Sequence, residues 1–376
     1  MELSFWENNS LTEFDFVIVG AGITGLSTAL AIRDKEPNSK IAVLERGILP
    51  SGASTKNAGF ACFGSLSEII ADIKHMGIET SAELVARRWH GLRKLRERVG
   101  DESLEYHNYG GYELLMESQV SAIQHMEEIN SALEPIFGKQ VFASCDEKIQ
   151  SFEFNDALVK AMVFNEFEGQ LNTGSMMESL YYLAICNKIS VFTGATVSDI
   201  LDHGSEVALD VSNGVSKITL KARKIGICSN AFAPKLIPEL DVQPGRGQVL
   251  VTQPIEGLPF KGTFHAEEGY YYFRNFNNRV IFGGGRNTEF EKETTDEFGN
   301  NEKIREHLKE MLHTLIFPKR AVDIDYFWSG IMAFGPTKEP ILKKHSKNIA
   351  LGVRLGGMGV AIGTLVGDMV AELMLE

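Results

Sequence analysis

Gly20, Gly22 and Gly25 stand in the hexapeptide GAGITG, between the apolar run FDFVIV (14–19) and a segment with helical spacing at Ile23, Leu26, Leu30 and Ile32. This arrangement suits the binding of a pyrophosphate. The first glycine allows a tight turn, the second lets phosphate approach the backbone, and the third lets helix and strand lie close together. A helix opening at Ile23 and Thr24 directs free N–H groups and a partial positive charge at that phosphate. The next strand, KIAVLE (40–45), ends in Glu45, twenty residues past Gly25 and followed by Arg46. A carboxylate there can accept hydrogen bonds from ribose hydroxyls, so the unit reads as dinucleotide-binding.

Two further small-residue segments extend the pattern. SGASTKNAGF (51–60) follows the second strand directly, and RLGGMGVAIGT (354–364) runs into the last helical segment. Three such loops suit a long ligand held at adenosine, pyrophosphate and a tricyclic ring, which favours FAD over a nicotinamide cofactor. A helix starting beside the ring would place its positive end where reduction builds negative charge.

The elements that must position these loops follow from periodicity and length. With 376 residues, two domains or one with an appended lobe are expected. A helix is expected at 80–99, with Leu84, Trp89, Leu92, Leu95 and Val99 inward and a solvated basic face of Arg87, Arg88, Arg93, Lys94, Arg96 and Arg98. Strand 109–116, helix 118–133 and helix 175–187 follow. Alternating segments come at 206–211 and 216–221, a strand-rich aromatic stretch at 245–290, and a helix at 302–316. Lys+Arg 37 against Asp+Glu 50 gives 37 − 50 = −13, a surface that disfavours nucleic acid. The apolar segment 16–32 has acidic residues before it and three glycines within it, so it reads as buried strand and helix in a soluble protein with no integral membrane segment. Cys62, Cys145, Cys186 and Cys228 are dispersed, which argues against a zinc site and fits a reducing, cytoplasmic compartment.

Taken in order, GAGITG with Glu45, SGASTKNAGF, EGQLNTGSMMESL, VFTGATVSDI, CSNA, GRGQVL, GYYYFR, RVIFGGG, FWSGIMAFGPTKEPIL and GGMGVAIG resemble the FAD-dependent D-amino-acid oxidase superfamily. The branch is the one containing glycine oxidase, sarcosine oxidase and gamma-glutamylputrescine oxidoreductase. The resemblance covers nearly the whole chain. It implies an α/β fold: a Rossmann-like FAD-binding domain of the glutathione-reductase type, with an interleaved α+β substrate domain on a mixed or antiparallel sheet. The implied division is 1–100, 172–235 and 326–376 for the FAD domain, and 101–171 and 236–325 for the substrate domain. It implies oxidation of a C–N bond by hydride transfer to flavin N5, giving an imine that hydrolyses. Oxygen or a redox partner would be the electron acceptor. Gly20, Gly22, Ile23, Thr24 and Gly25 would hold pyrophosphate, and Glu45, Arg46 and Val197 the adenosine side. Ser54, Thr55, Lys56, Asn57, Ala58 and Gly59 would line the phosphate–ribityl side, joined by Ser229 and Asn230. Gly356, Gly357, Met358 and Gly359 would meet the ring. Lys56 and Asn57 stand where some relatives carry a flavin-linking histidine, and no cysteine follows Cys228, so non-covalent FAD is expected.

Two departures concern the substrate. Amino-acid oxidases of this family carry a carboxylate-binding arginine in the strand after a Trp-x-Gly, where this chain has Met332. A larger amine or N-substituted substrate is therefore favoured, with Arg274, Arg286 and Arg354 as alternative carboxylate partners. Some relatives use a lysine before the residue equivalent to Gly283, where this chain has VIF. Tyr270 and Tyr272 are candidates to wall the pocket, while His265 and Cys62 read as structural. The rival readings are a glycine or D-amino-acid oxidase proper, a flavin-binding protein without turnover, and a nicotinamide dehydrogenase.

Overall fold

The computed structural model describes residues 3–376. Glu13–Val19 forms a strand paired in parallel with Ile41–Leu44 on one side and Lys217–Ile227 on the other. Val17 and Ile18 are both buried, as expected of a strand covered on two faces. The sheet continues in parallel to Ser190–Phe192 and to Ile349–Val353, which Ile341–Lys344 joins antiparallel. Thr196–Asp202 and Val207–Ser212 form an antiparallel ribbon against the first half of Lys217–Ile227.

Helices Ile23–Lys35, Thr173–Cys186 and Gly359–Leu375 share one apolar core with this sheet. A Cβ on Gly25 would overlap the Gly20 carbonyl oxygen, so only glycine lets the helix leave the strand at this angle. A Cβ on Gly367 would lie 2.7 Å from Thr24 O, so glycine there lets Gly359–Leu375 lie directly on Ile23–Lys35.

The second sheet runs in the order Ile324–Phe334, Gln243–Thr252, Arg279–Gly284, Tyr271–Phe276, Thr263–Ala266, Gly111–Met116, Val159–Asn165, Phe142–Ser144. All neighbours are antiparallel except Thr263–Ala266 with Gly111–Met116. Alternation along the strands separates two faces. Phe264, Tyr271 and Phe273 enter an aromatic core with Phe154 and Phe260, closed by the helix Glu302–Met311. His265, Tyr272 and Arg274 turn to the opposite face, toward the first sheet.

Several expectations are corrected here. Ile324–Phe334, assigned to the cofactor-binding part, belongs to the second sheet, because it pairs with Gln243–Thr252 from Gln243↔Phe334 to Thr252↔Ile324. The chain returns to the first sheet only at Ile341. The segment expected as a helix over 118–133 is a 3₁₀ turn, Glu117–His125, followed by the helix Met126–Phe137. The basic face of the helix Ile78–Val99 is largely engaged rather than solvated. Arg88 is buried and donates to Phe63 O at 2.9 Å, Lys94 and Arg98 both pair with Asp368 at 2.7 Å, and Arg87 pairs with Glu339. The last helix and the 335–340 loop lie over that face and supply the acids. Among the described residues, no helix is long and apolar enough to cross a membrane.

One buried ion pair fixes the outer end of the second sheet. Glu293 is 0% exposed and receives two hydrogen bonds from Arg246, each 2.9 Å, with Gln248 at 3.0 Å and Asn301 at 2.8 Å. Burial alone would raise its pKa, but these donors outweigh burial and hold it below the usual carboxylate range. The stability it contributes is therefore present above the unfolded value of ~4.3 and is lost as pH falls through the lower folded value. We expect Glu293→Gln to lose about 3–5 kcal/mol in urea unfolding at pH 7, with the gap to wild type narrowing below about pH 4. We further expect Gly25→Ala to lose about 3 kcal/mol, read as a lowered thermal midpoint.

Candidate active site

A cavity of about 800 Å³ runs from the GAGITG turn to the inner face of the second sheet. Two helices, Ile23–Lys35 and Gly359–Leu375, begin on its wall and direct their N-termini into it. Gly20, Gly22, Ile23 and Thr24 line the first of these ends, and Gly356, Gly357, Met358 and Gly359 the second. Gly25 lies beneath the turn and does not reach the cavity.

Glu45 sits buried at the end of its strand, accepting from Gly47 N at 2.9 Å and from Ala21 N at 3.3 Å. Its carboxylate is thereby held against the glycine turn. The Arg46 guanidinium lies over the Phe232 ring, 3.6 Å from its centroid, and Val197 lines the wall nearby. Ser54 Oγ accepts from Ile23 N at 3.0 Å, tying the second loop to the first helix. Lys56, Asn57 and Ala58 line the cavity beyond it. Asn57 shapes its own loop, donating to Ser54 O at 2.8 Å and accepting from Gly59 N at 2.8 Å and Thr173 Oγ1 at 2.9 Å. Thr55 and Gly59 are not on the wall. Thr55 Oγ1 donates to Pro50 O at 2.7 Å, and Gly59 adopts φ +75° behind the loop. Asn230 Oδ1 accepts from Arg354 N at 3.0 Å and thereby joins the end of Lys217–Ile227 to the C-terminal glycine loop.

The wall fits FAD on its own chemistry. Gly22, Gly356, Gly357 and Gly359 line the cavity without side chains, so both helix ends present bare backbone to it. Two helix N-termini edged by bare backbone are what an anionic pyrophosphate and the electron-accepting edge of a flavin would meet. The volume lies in the range of small-molecule cavities.

The second sheet forms the other wall. Tyr272, Phe60, Met332 and Arg286 line it, and Tyr270 stands at the rim, 38% exposed. Burial pushes the Tyr272 hydroxyl up to about 12, so it stays a neutral phenol at physiological pH. Tyr271 points away, with its hydroxyl 2.9 Å from His307 Nε2. Met332 sits between the second sheet and the glycine loop, with its sulfur 3.6 Å from where a Cβ on Gly357 would be.

Two of the three arginines are engaged within the protein. Arg274 is buried and donates to Ala58 O and, at 2.9 Å, to Leu171 O, so it braces the second loop from behind. Arg354 holds φ +66° and donates to Glu339 O, Asp241 O and Thr337 Oγ1 at 3.0–3.1 Å. Both were expected near a substrate. Backbone carbonyls occupy their guanidinium groups instead, and neither lines the cavity. Arg286 does line it, stacked on Phe334 at 4.0 Å and Phe290 at 4.8 Å, with no acceptor among the described residues. Burial pulls its pKa down from the usual arginine value.

Other wall residues escaped the sequence reading. The helix Leu66–Met76 presents Glu68, Ala71, Asp72, His75 and Met76 to the cavity. Its signal was Ser65-x-x-Glu68, a helix-start pattern in which Ser65 Oγ accepts from Glu68 N at 3.4 Å. Lys338 reaches across from the opposite loop to Asp72 at 2.6 Å and Glu68 at 3.2 Å. Burial pushes Glu68 up, yet Lys338 and Arg88 outweigh it and hold the carboxyl below its usual value, whereas burial prevails at Asp72 and raises it. His265 also lines the cavity, with Nε2 3.0 Å from Glu168 Oε2.

Comparison with known proteins agrees with this geometry. A family model described as FAD dependent oxidoreductase (DAO) matches residues 15–373. The chain is 24% identical to gamma-glutamylputrescine oxidoreductase of Escherichia coli, covering 98% of this chain and 84% of that protein. It is 23% identical to the probable oxidoreductase OrdL of Haemophilus influenzae, over 96% of this chain and 83% of that one. The fold is similar to that of glycine oxidase from Geobacillus kaustophilus, with TM-score 0.76 and 20% identity over 97% of this chain and 95% of that one. With the family model spanning both sheets and the cavity between them, the chain belongs to the DAO family of FAD-dependent oxidoreductases.

Proposed function

We propose that this flavoenzyme oxidises the C–N bond of an amine that also carries a carboxylate, an amino acid or N-substituted amino acid, and that Arg286 is its carboxylate partner. The observation that carries this reading is the Arg286 guanidinium, which faces the cavity unpaired while Arg274 and Arg354 are engaged by backbone carbonyls. A planar guanidinium with free donors is matched by a carboxylate. The similarity to gamma-glutamylputrescine oxidoreductase and the presence of Met332 in place of the family arginine support a substrate larger than glycine.

FAD, when bound, supplies the two-electron acceptor for the carbon bearing the nitrogen. The chain's residues bind and orient. The Gly20–Gly22 turn and the N–H group at Thr24 would hold the pyrophosphate, with Ile23 N–H engaged by Ser54 Oγ, and Glu45 would hold the adenosine ribose. Arg46 and Val197 would flank the adenosine, and Ser54, Lys56, Asn57, Ala58 and Ser229 would face the phosphate–ribityl side. Gly356 to Gly359 would meet the ring, without a covalent bond. Phe60 and Tyr272 would exclude water above it, which strengthens the contact to Arg286. The FAD-binding part would comprise residues up to about 100, 172–235 and the chain from Ile341, with the second sheet carrying the substrate. Four free cysteines suit a cytoplasmic location, and the electron acceptor would be oxygen or a redox partner.

The purified protein should be yellow. Anaerobic mixing with carboxylate-bearing amines should bleach it, and loss of colour with none of a panel of amines and amino acids would overturn the reading in favour of a flavin carrier without turnover. Rapid return of colour on admitting air would identify oxygen as the acceptor. Arg286→Met should retain FAD and weaken the bleaching substrate roughly 30- to 150-fold in KM, the equivalent of about 2–3 kcal/mol for charge-assisted hydrogen bonds. Unchanged KM would remove Arg286 from this role.

A further inference from the structure

We infer that Cys62, Glu168 and His265 form a binding site for a single borderline-soft divalent cation of the zinc type on the wall of the cavity. The three residues come from separate parts of the chain: the segment after the second loop, the turn before Gly169–Gln170, and a strand of the second sheet. All three are buried, and a thiol sulfur, a carboxylate oxygen and an imidazole nitrogen lie within 4.8 Å of one another. His265 Nε2 and Glu168 Oε2 are 3.0 Å apart. Donors around a tetrahedral zinc ion stand ~3.3–3.6 Å apart, given metal–donor lengths of about 2.0–2.3 Å, so closing the triangle needs movements on the order of 1 Å.

A second observation points to a ligand independently of the grouping. The other carboxylate oxygen of Glu168 is fully buried with no hydrogen-bond partner among the described residues, in a residue only 1% exposed. A buried, unpartnered carboxylate oxygen is costly unless something satisfies it. The surrounding charges favour a cation. Glu113 from the neighbouring strand and Glu68 from the helix Leu66–Met76 also act on His265, while Arg88 and Lys338 are the positive groups on this side and are paired with Glu68. One divalent ion would be matched by the Glu168 carboxylate and the Cys62 thiolate, with His265 neutral. Binding therefore releases the thiol proton, and the proton of any protonated imidazole, to solvent, and no electron moves. Cys62 and His265 both line the cavity, from which an ion held by them would be reached. A cation held there would be exchangeable and would obstruct the space beside Tyr272 and Phe60.

The test is a titration of the FAD-loaded, chelator-treated full chain with Co²⁺ alone, followed by Zn²⁺. One equivalent of Co²⁺ should produce a near-ultraviolet thiolate-to-metal charge-transfer band in the difference spectrum, and Zn²⁺ should discharge it. Cys62→Ser should lack the band. His265→Asn and Glu168→Gln should keep it but bind Zn²⁺ at least tenfold more weakly by calorimetry. Absence of the band in a wild-type protein that holds FAD overturns the inference and leaves the flavoenzyme reading untouched. So does equal Zn²⁺ affinity in the wild type and in the His265→Asn and Glu168→Gln variants, which stand in if Cys62→Ser does not fold.

Discussion

The helix Gly359–Leu375 lies directly on Ile23–Lys35, and the rest of the cavity depends on that contact. Ser27 and Thr364, 337 residues apart in the chain, are 3.4 Å from each other across the seam. Small residues along it bring the helix axes close enough for both N-termini to open on the same space. Each helix end carries unsatisfied N–H groups and a partial positive charge, so their convergence creates one anion-attracting and electron-attracting region from two distant segments. Asn230 then fixes the second end by accepting from Arg354 N, which ties the glycine loop to the sheet.

Buried arginines organise the loops around this region. Arg88, Arg274 and Arg354 each direct guanidinium N–H groups at backbone carbonyls: Phe63 O, Leu171 O and Glu339 O respectively. A buried cation must be hydrogen-bonded to persist, and each of these meets that demand by bracing a loop that borders the cavity. Arg286 is stacked on two aromatic rings instead, and its donors meet no acceptor among the described residues. The distinction among these arginines is one of satisfaction rather than of charge. It separates positioning groups from a group available to a ligand.

The strand–turn–helix unit, the two later glycine-bearing loops and the aromatic strands were legible because each depends on neighbours in the chain. A turn needs glycine at fixed offsets, and a strand shows its alternation within six residues. The helix Leu66–Met76 is marked by Ser65-x-x-Glu68 and by the spacing of Leu66, Ile69, Ile70 and Ile73, but that its other side, with Glu68, Asp72 and His75, meets the cavity is set by packing and not by that spacing. The basic stripe on Ile78–Val99 was read as solvated because its partners, Asp368 and Glu339, lie far along the chain. The strand Ile324–Phe334 was placed with the wrong sheet for a similar reason. Its membership is set by register with Gln243–Thr252, not by its own residues.

What the amino-acid order determined alone was therefore the dinucleotide fold, the likeness to flavin-dependent oxidoreductases, and the loops that would hold the cofactor, since local backbone geometry dictates them. The tertiary structure alone decided which side chains share the cavity. Sheet alternation turned Tyr272 and His265 inward and Tyr271 away. Antiparallel pairing of Phe60–Ala61 with Gly169–Gln170 brought Cys62 to Glu168, and Arg286 was left without an acceptor among the described residues. Side-chain direction and partnership are properties of residues hundreds of positions apart, and only the closed fold brings them within bonding distance.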